Sequence, residues 1–186
     1  MQALVRASQN WPAQVIAVIS NRPQAPGLQW AKDQGIATKA IDHTSFEKRE
    51  QFDAALLNAV REFKPDWVLL AGFMRVLAED FVAQFAGRLI NIHPSLLPAF
   101  PGLKTHERAL ASGVSLHGAT VHQVTSQLDH GPVLTQGATK VLPSDSPQSL
   151  ARRVQAIEHL IYVDAVKRLL THHPLTHPQL AWKLYS

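Results

Sequence analysis

The sequence predicts an α/β fold built on a doubly wound, mostly parallel sheet, and three observations carry that prediction. Apolar strand-like runs alternate with amphipathic helical runs through the first half of the chain. The run Trp67 to Ala71 is apolar with no period-two alternation, as expected of a parallel strand covered on both faces. The run Arg88 to Ile92 delivers Asn91 and His93 two residues apart, then breaks into the proline-bounded loop Pro94-Ser95-Leu96-Leu97-Pro98.

Each element follows from local chemistry. Met1 to Ser8 reads as a helix, broken by Trp11-Pro12, and Val15 to Ile19 as a buried strand closed by Ser20-Asn21-Arg22-Pro23. Pro26 and Gly27 open a short helix through Gln34, stopped by Gly35, and Ile36 to Ile41 forms a second strand. Phe52, Leu56, Val60 and Phe63 recur at helical spacing, so a helix is expected from about Phe46 to Phe63, ended by Pro65. Trp67 to Ala71 is the third strand; a helix from Ala78 to Phe85 leads into the strand bearing Asn91 and His93. A helix ends near Ser112, after which His117 to Val124 and Val133 to Val141 are expected to pair as an antiparallel hairpin whose loop carries Asp129. Ser146-Pro147 then opens the longest helix, to about Thr171, with Leu150, Val154, Ile157 and Ile161 as its apolar stripe and Gln155 and Glu158 sharing another face.

Composition narrows the function classes. A chain of 186 residues, 46% hydrophobic, suits one sizeable core and a single domain spanning 1–186. No run reaches the length of a membrane span, and the amino terminus lacks a secretory pattern, so a cytoplasmic protein is expected. With no cysteine, disulfides, thiolate nucleophiles and cysteine metal sites are excluded. The formal charge of +4 favours anionic partners; without a Lys/Arg block interleaved with aromatics, small phosphorylated or carboxylated substrates are preferred to nucleic acid. The ten histidines are scattered. Their one dense group, His172, His173 and His177, lies in a proline-punctuated tail read as solvated rather than metal-binding.

Asn91, His93 and Asp129 are the polar groups with chemistry to offer. Alternation along a strand puts Asn91 and His93 on one side at its carboxyl end, where open α/β sheets place ligands. The amide can donate to a developing oxyanion and the imidazole can move a proton near neutral pH. A carboxylate beside that imidazole would stabilise its cation, half of an acyl-transfer site. The plainer alternative is a capped strand end, a satisfied core histidine and a loop aspartate before Gly-Pro. No Gly-x-Ser-x-Gly element is present, so direct attack by a substrate amine is favoured over a covalent intermediate.

Asn91-Ile92-His93-Pro94-Ser95-Leu96-Leu97-Pro98, Phe100-Pro101-Gly102, His117-Gly118-Ala119-Thr120-Val121-His122 and Leu128-Asp129-His130-Gly131-Pro132-Val133 together resemble the folate-dependent formyltransferases. The resemblance covers nearly everything to about residue 170. It implies a Rossmann-type formyltransferase fold and transfer of a formyl group from 10-formyltetrahydrofolate, a co-substrate, to the amine of glycinamide ribonucleotide in purine biosynthesis. By that likeness Asn91 polarises the formyl oxygen, and His93, supported by Asp129, stabilises the tetrahedral intermediate and supplies a proton to the leaving folate nitrogen. Folate binding maps onto Arg49, Met74, Arg75, Val76, Leu77 and Asn91, and substrate binding onto Gln155 and Glu158. The residues alone would make Arg49 part of a solvated helix face. No metal is implied, and the partners are small molecules acting on a monomer or homodimer, with neither nucleic acid nor membrane involved.

Three departures stand beside the likeness. Lys104 occupies a position where some members carry histidine, and His130 one that is commonly small. Family members also begin with a strand and a glycine-rich phosphate loop, whereas Met1-Gln2-Ala3-Leu4 reads as the following helix already under way. An apolar seam in the sheet, weak phosphate binding and reduced stability are therefore expected. The alternatives are a formyltetrahydrofolate hydrolase, in which water replaces the amine, and a degenerate folate-binding protein. A methionyl-tRNA formyltransferase would need a further carboxyl-terminal domain.

Overall fold

The computed structural model describes residues 1–171 and 182–185. Helices α1 (Gln2–Ser8), α2 (Pro26–Asp33), α3 (Arg49–Glu62), α4 (Glu79–Gln84), α5 (Thr105–Ala111) and α6 (Pro147–Leu170) accompany strands β1 (Ala17–Ser20), β2 (Ala37–Ala40), β3 (Val68–Leu70), β4 (Leu89–His93), β5 (Leu116–Gln123), β6 (Val133–Lys140) and β7 (Trp182–Tyr185). A single 3-10 turn, His43–Ser45, precedes α3. From α1 to α6 the order of helices and strands is the one the sequence predicts, with most boundaries moved inward. The α3 helix starts at Arg49 rather than Phe46, because the chain at 43–48 is occupied by the 3-10 turn, whose Asp42 carboxylate accepts from the Thr44 N–H at 2.9 Å. Strand β1 begins at Ala17 rather than Val15: its start is set by pairing with Ala37, not by where the apolar run begins.

Among the described residues the strands form two sheets rather than one. Parallel β1 and β2 make the first; the second runs β3-β4-β5-β6-β7. In the second, β3–β4 and β6–β7 are parallel, while β5 is antiparallel to both neighbours. The expected hairpin is therefore β5–β6, and the sheet is more mixed than the sequence suggests. Between β1 and β3 lies a cavity of about 1150 Å³ lined largely by apolar groups, among them Val18, Ile19, Leu69 and Val166. The β7 strand was not anticipated; His172, His173 and His177 lie outside the described residues.

Helices cover both faces of the second sheet. Consecutive residues Leu89 and Ile90, both fully buried, point into different cores. Leu89 packs with Phe52, Leu56, Val60, Phe81 and Phe85 from α3 and α4, whereas Ile90 packs with Leu150, Val154, Ile157 and Ile161 from α6. Burial on both sides is why this strand is apolar without alternation. At about 1.5–3 kcal/mol per buried large side chain, the two cores fix β4 in place. The α6 helix opens as its sequence dictates: Ser146 Oγ accepts from the Ser149 N–H at 3.1 Å, and Pro147 needs no donor in the first turn. From its interior Tyr162 donates its hydroxyl to Leu70 O at 2.9 Å and Ile90 O at 3.1 Å, tying α6 to the end of β3 and to β4 beside it.

Candidate active site

Strand β4 ends at His93, and the register pairs Asn91 with His122 and His93 with Thr120 on β5. These four side chains alternate onto one face, as period two requires. The loop after His93 is then held from below by buried polar groups. Thr120 Oγ1 donates to Ser95 O at 2.7 Å and accepts from the Leu97 N–H at 3.0 Å; Gln136 Nε2 donates to Thr120 Oγ1 at 2.8 Å and to Leu97 O at 2.9 Å. Every member of this network is buried, so satisfied hydrogen bonding keeps its cost low and its geometry definite.

The structure brings Asn91, His93 and Asp129 together. His93, 6% exposed, donates Nε2–H to Phe100 O at 3.0 Å and sets Nδ1 at 3.4 Å from Asp129 Oδ2. The same carboxylate oxygen accepts from the Gly102 N–H at 2.8 Å. An acceptor thus faces each ring nitrogen, the Phe100 carbonyl at Nε2 and the Asp129 carboxylate at Nδ1.

His122 completes the group, and sequence reasoning gave it no role. Its Nδ1–H donates to Gln123 O at 2.9 Å, leaving Nε2 as the acceptor, 3.4 Å from Asn91 Nδ2. That contact turns the Asn91 amide so that its NH2 lies on the His122 side. The place of His122 opposite Asn91 is set by the pairing of β5 with β4, which the motif alone does not reveal. Nearby, His106 Nδ1 and His117 Nε2 approach to 3.1 Å. Burial, with repulsion from His106 and His93 added, lowers His117 to about 4; burial likewise lowers His106 and His122, with repulsion from His93 added and, at His122, the Gln123 carbonyl and Asp129 working against it. Burial thus favours the neutral form of three of the four imidazoles, while Asp129 faces two of the four, His93 Nδ1 at 3.4 Å from Oδ2 and His122 Nε2 at 3.8 Å from Oδ1.

The segment 71–77 leaves β3 at the same sheet edge, since Leu70 pairs with Asn91. Within it Met74 is 71% and Val76 50% exposed, while Arg75 stacks its guanidinium carbon 4.9 Å from the Phe52 ring centroid and keeps a buried Nε without a partner. Exposed apolar side chains with an unused buried donor suit a flat heteroaromatic ligand carrying acceptors. Arg49 is no free solvated residue: Nη2 donates to Val76 O at 2.6 Å, and Nε lies 3.3 Å from buried Asp53 Oδ2. Gln155 is exposed and Glu158 half-buried on α6; burial pushes the Glu158 carboxyl up. Among the described residues no hydrogen bond or ion pair joins either to the His93 cluster. Lys104 is exposed in a left-handed conformation before α5, and exposed His130 bonds only locally, its Nδ1 at 3.0 Å from Leu128 O.

Among the described residues there is no group of three or more His, Cys, Asp or Glu able to hold a metal ion, and no helix long and apolar enough to cross a membrane.

The sequence model of the formyl transferase family matches residues 1–166. The phosphoribosylglycinamide formyltransferase of Escherichia coli K12 is 45% identical over 168 residues, 90% of this chain and 79% of its own length. The trifunctional purine biosynthetic protein adenosine-3 of Drosophila melanogaster is 40% identical over 97% of this chain, which spans only 14% of that much longer protein. A crystal structure of phosphoribosylglycinamide formyltransferase from Brucella melitensis superposes with a TM-score of 0.85 at 45% identity, covering 95% of this chain and 92% of its own.

Proposed function

This chain belongs to the formyl transferase family, and we propose that its Asn91, His93 and Asp129 carry the transfer of a formyl group from 10-formyltetrahydrofolate to the amine of glycinamide ribonucleotide, a step of purine biosynthesis. The observation that carries the assignment of roles is the meeting of His93 with Asp129 beside Asn91 at the end of β4.

The amine nitrogen attacks the formyl carbon, forming one carbon–nitrogen bond and placing negative charge on the formyl oxygen. Asn91, its amide oriented by His122, offers an N–H to that oxygen, and the His93 cation lies beside it. The bond from carbon to the folate nitrogen then breaks. His93 gives the folate nitrogen its proton by releasing an N–H from its acceptor, and the proton that the attacking amine sheds returns to the ring through solvent, so the protons balance. Asp129 keeps the ring oriented and balances its charge.

Met74 to Leu77, with Arg49 bracing Val76, hold the folate at the sheet edge; Gln155 and Glu158 address the ribonucleotide. The protein works in the cytoplasm, as a monomer or homodimer, on small molecules alone. The test is an assay with both substrates, following tetrahydrofolate release. Release that requires glycinamide ribonucleotide is expected; equal release without it, with formate produced, would instead make the protein a hydrolase.

A further inference from the structure

We propose that Arg108 is a positioning residue that sets His93 and Asp129 through the loop they share. Residues 100–103 provide an acceptor to His93, the Phe100 carbonyl, and a donor to Asp129, the Gly102 N–H. The relative placement of imidazolium and carboxylate therefore depends on where this short segment sits.

The segment is poorly suited to hold itself. Phe100 at φ 54° and Gly102 at φ 77° are left-handed, as is Lys104 at φ 58° just beyond. A non-glycine residue in that region costs about 1–2 kcal/mol, and Pro101 contributes no N–H. Among the described residues, side-chain hydrogen bonds to 100–103 come from three residues: His93, Asp129 and Arg108. The first two are the groups being positioned, which leaves Arg108 as the outside support.

Arg108, one turn into α5, makes three contacts on this segment. Nη1 donates to Pro101 O and, at 3.4 Å, to Leu103 O, while the guanidinium carbon sits 5.6 Å from the Phe100 ring centroid. A planar fork with several donors can bridge two carbonyls and cover a ring at once; an ammonium cannot do all three. The Phe100 ring also meets the His117 ring edge to face, their centroids 5.9 Å apart, so the residue whose carbonyl holds His93 is packed by two side chains. In sequence Arg108 resembles any solvated charge on a short helix, and it has no direct contact with the reacting groups.

This proposal rests on the roles given to His93 and Asp129 above. Its test compares Arg108→Met and Arg108→Lys with the intact chain, using Lys104→Met as a control for loss of a neighbouring positive charge. Displacing a proton donor by a fraction of an ångström to an ångström costs roughly tenfold to a hundredfold in rate. Arg108→Met should lower kcat by that factor, leave both KM values within about twofold, and move the alkaline limb of the kcat–pH profile to lower pH. Arg108→Lys should recover part of the loss, and Lys104→Met should match the intact chain. The His93 ring proton resonance, titrated by NMR, reads the same displacement without turnover. A midpoint moved to lower pH in Arg108→Met, in a protein with no transferase activity, would uphold the positioning and defeat the functional reading. An unmoved midpoint with unchanged kcat would overturn the proposal, as would equal losses in Arg108→Met and Lys104→Met.

Discussion

His93 and Asp129 come from different structural contexts, the end of the interior strand β4 and the loop between β5 and β6, and meet with Nδ1 3.4 Å from Oδ2, both side chains 7% exposed. A carboxylate in that position stabilises the ring's cation and fixes its orientation. The pairing leads directly to a pH effect. Transfer needs an unprotonated substrate amine, which sets the acidic limb, and a protonated His93, which sets the alkaline limb. Asp129→Asn keeps an acceptor for the Gly102 N–H but removes the charge, so kcat should fall roughly a hundredfold and the alkaline limb should move to lower pH. A profile of unchanged shape would separate Asp129 from the proton chemistry.

The loop carrying Asp129 is set by Gly131. A Cβ built there would lie 1.7 Å from Gln123 O and 2.8 Å from its carbonyl carbon, so the backbone must move. Gly131→Ala should cost about 1–3 kcal/mol of stability, as overpacked substitutions do, and should reduce kcat more than either KM. Urea denaturation and steady-state kinetics on the same preparation check both parts.

The imidazole cluster predicts the acid response of the fold. The native state holds buried His117 down to about 4, below its ordinary 6.5, so the unfolded chain takes a proton that the folded chain refuses. Stability is therefore lost as pH falls from about 6.5 to about 4, on the order of 3 kcal/mol from His117 alone, with His106 and His122 acting in the same direction. His117→Gln should flatten this decline. Parallel urea midpoints for variant and intact chain between pH 7 and 4.5 would remove His117 as its cause.

Much of this was legible in the chain, and the exceptions have physical causes. The α6 stripe of Leu150, Val154, Ile157 and Ile161 is buried as its helical spacing requires, because a regular element repeats its environment every turn. The nearness of Asn91 and His93 followed from strand alternation alone. Strand ends were less readable: β1 starts where Ala37 pairs with it, and β7 pairs with β6 from a segment whose composition resembled a tail. His122 was hidden because its place opposite Asn91 depends on how β5 pairs with β4, and Arg49 by a contact to Val76 O that no local pattern encodes. Tertiary contacts between loops, such as Gly102 to Asp129, leave no periodic trace in sequence at all.

The most direct test of the central claim is the turnover of His93→Ala, measured alongside binding of 10-formyltetrahydrofolate by the same protein. The account predicts that formyl transfer to glycinamide ribonucleotide falls by at least about a hundredfold while folate affinity stays within a few-fold, since the proposed roles put the ring on the intermediate and the folate on residues 74–77. Turnover equal to that of the intact chain, with binding preserved, would contradict it.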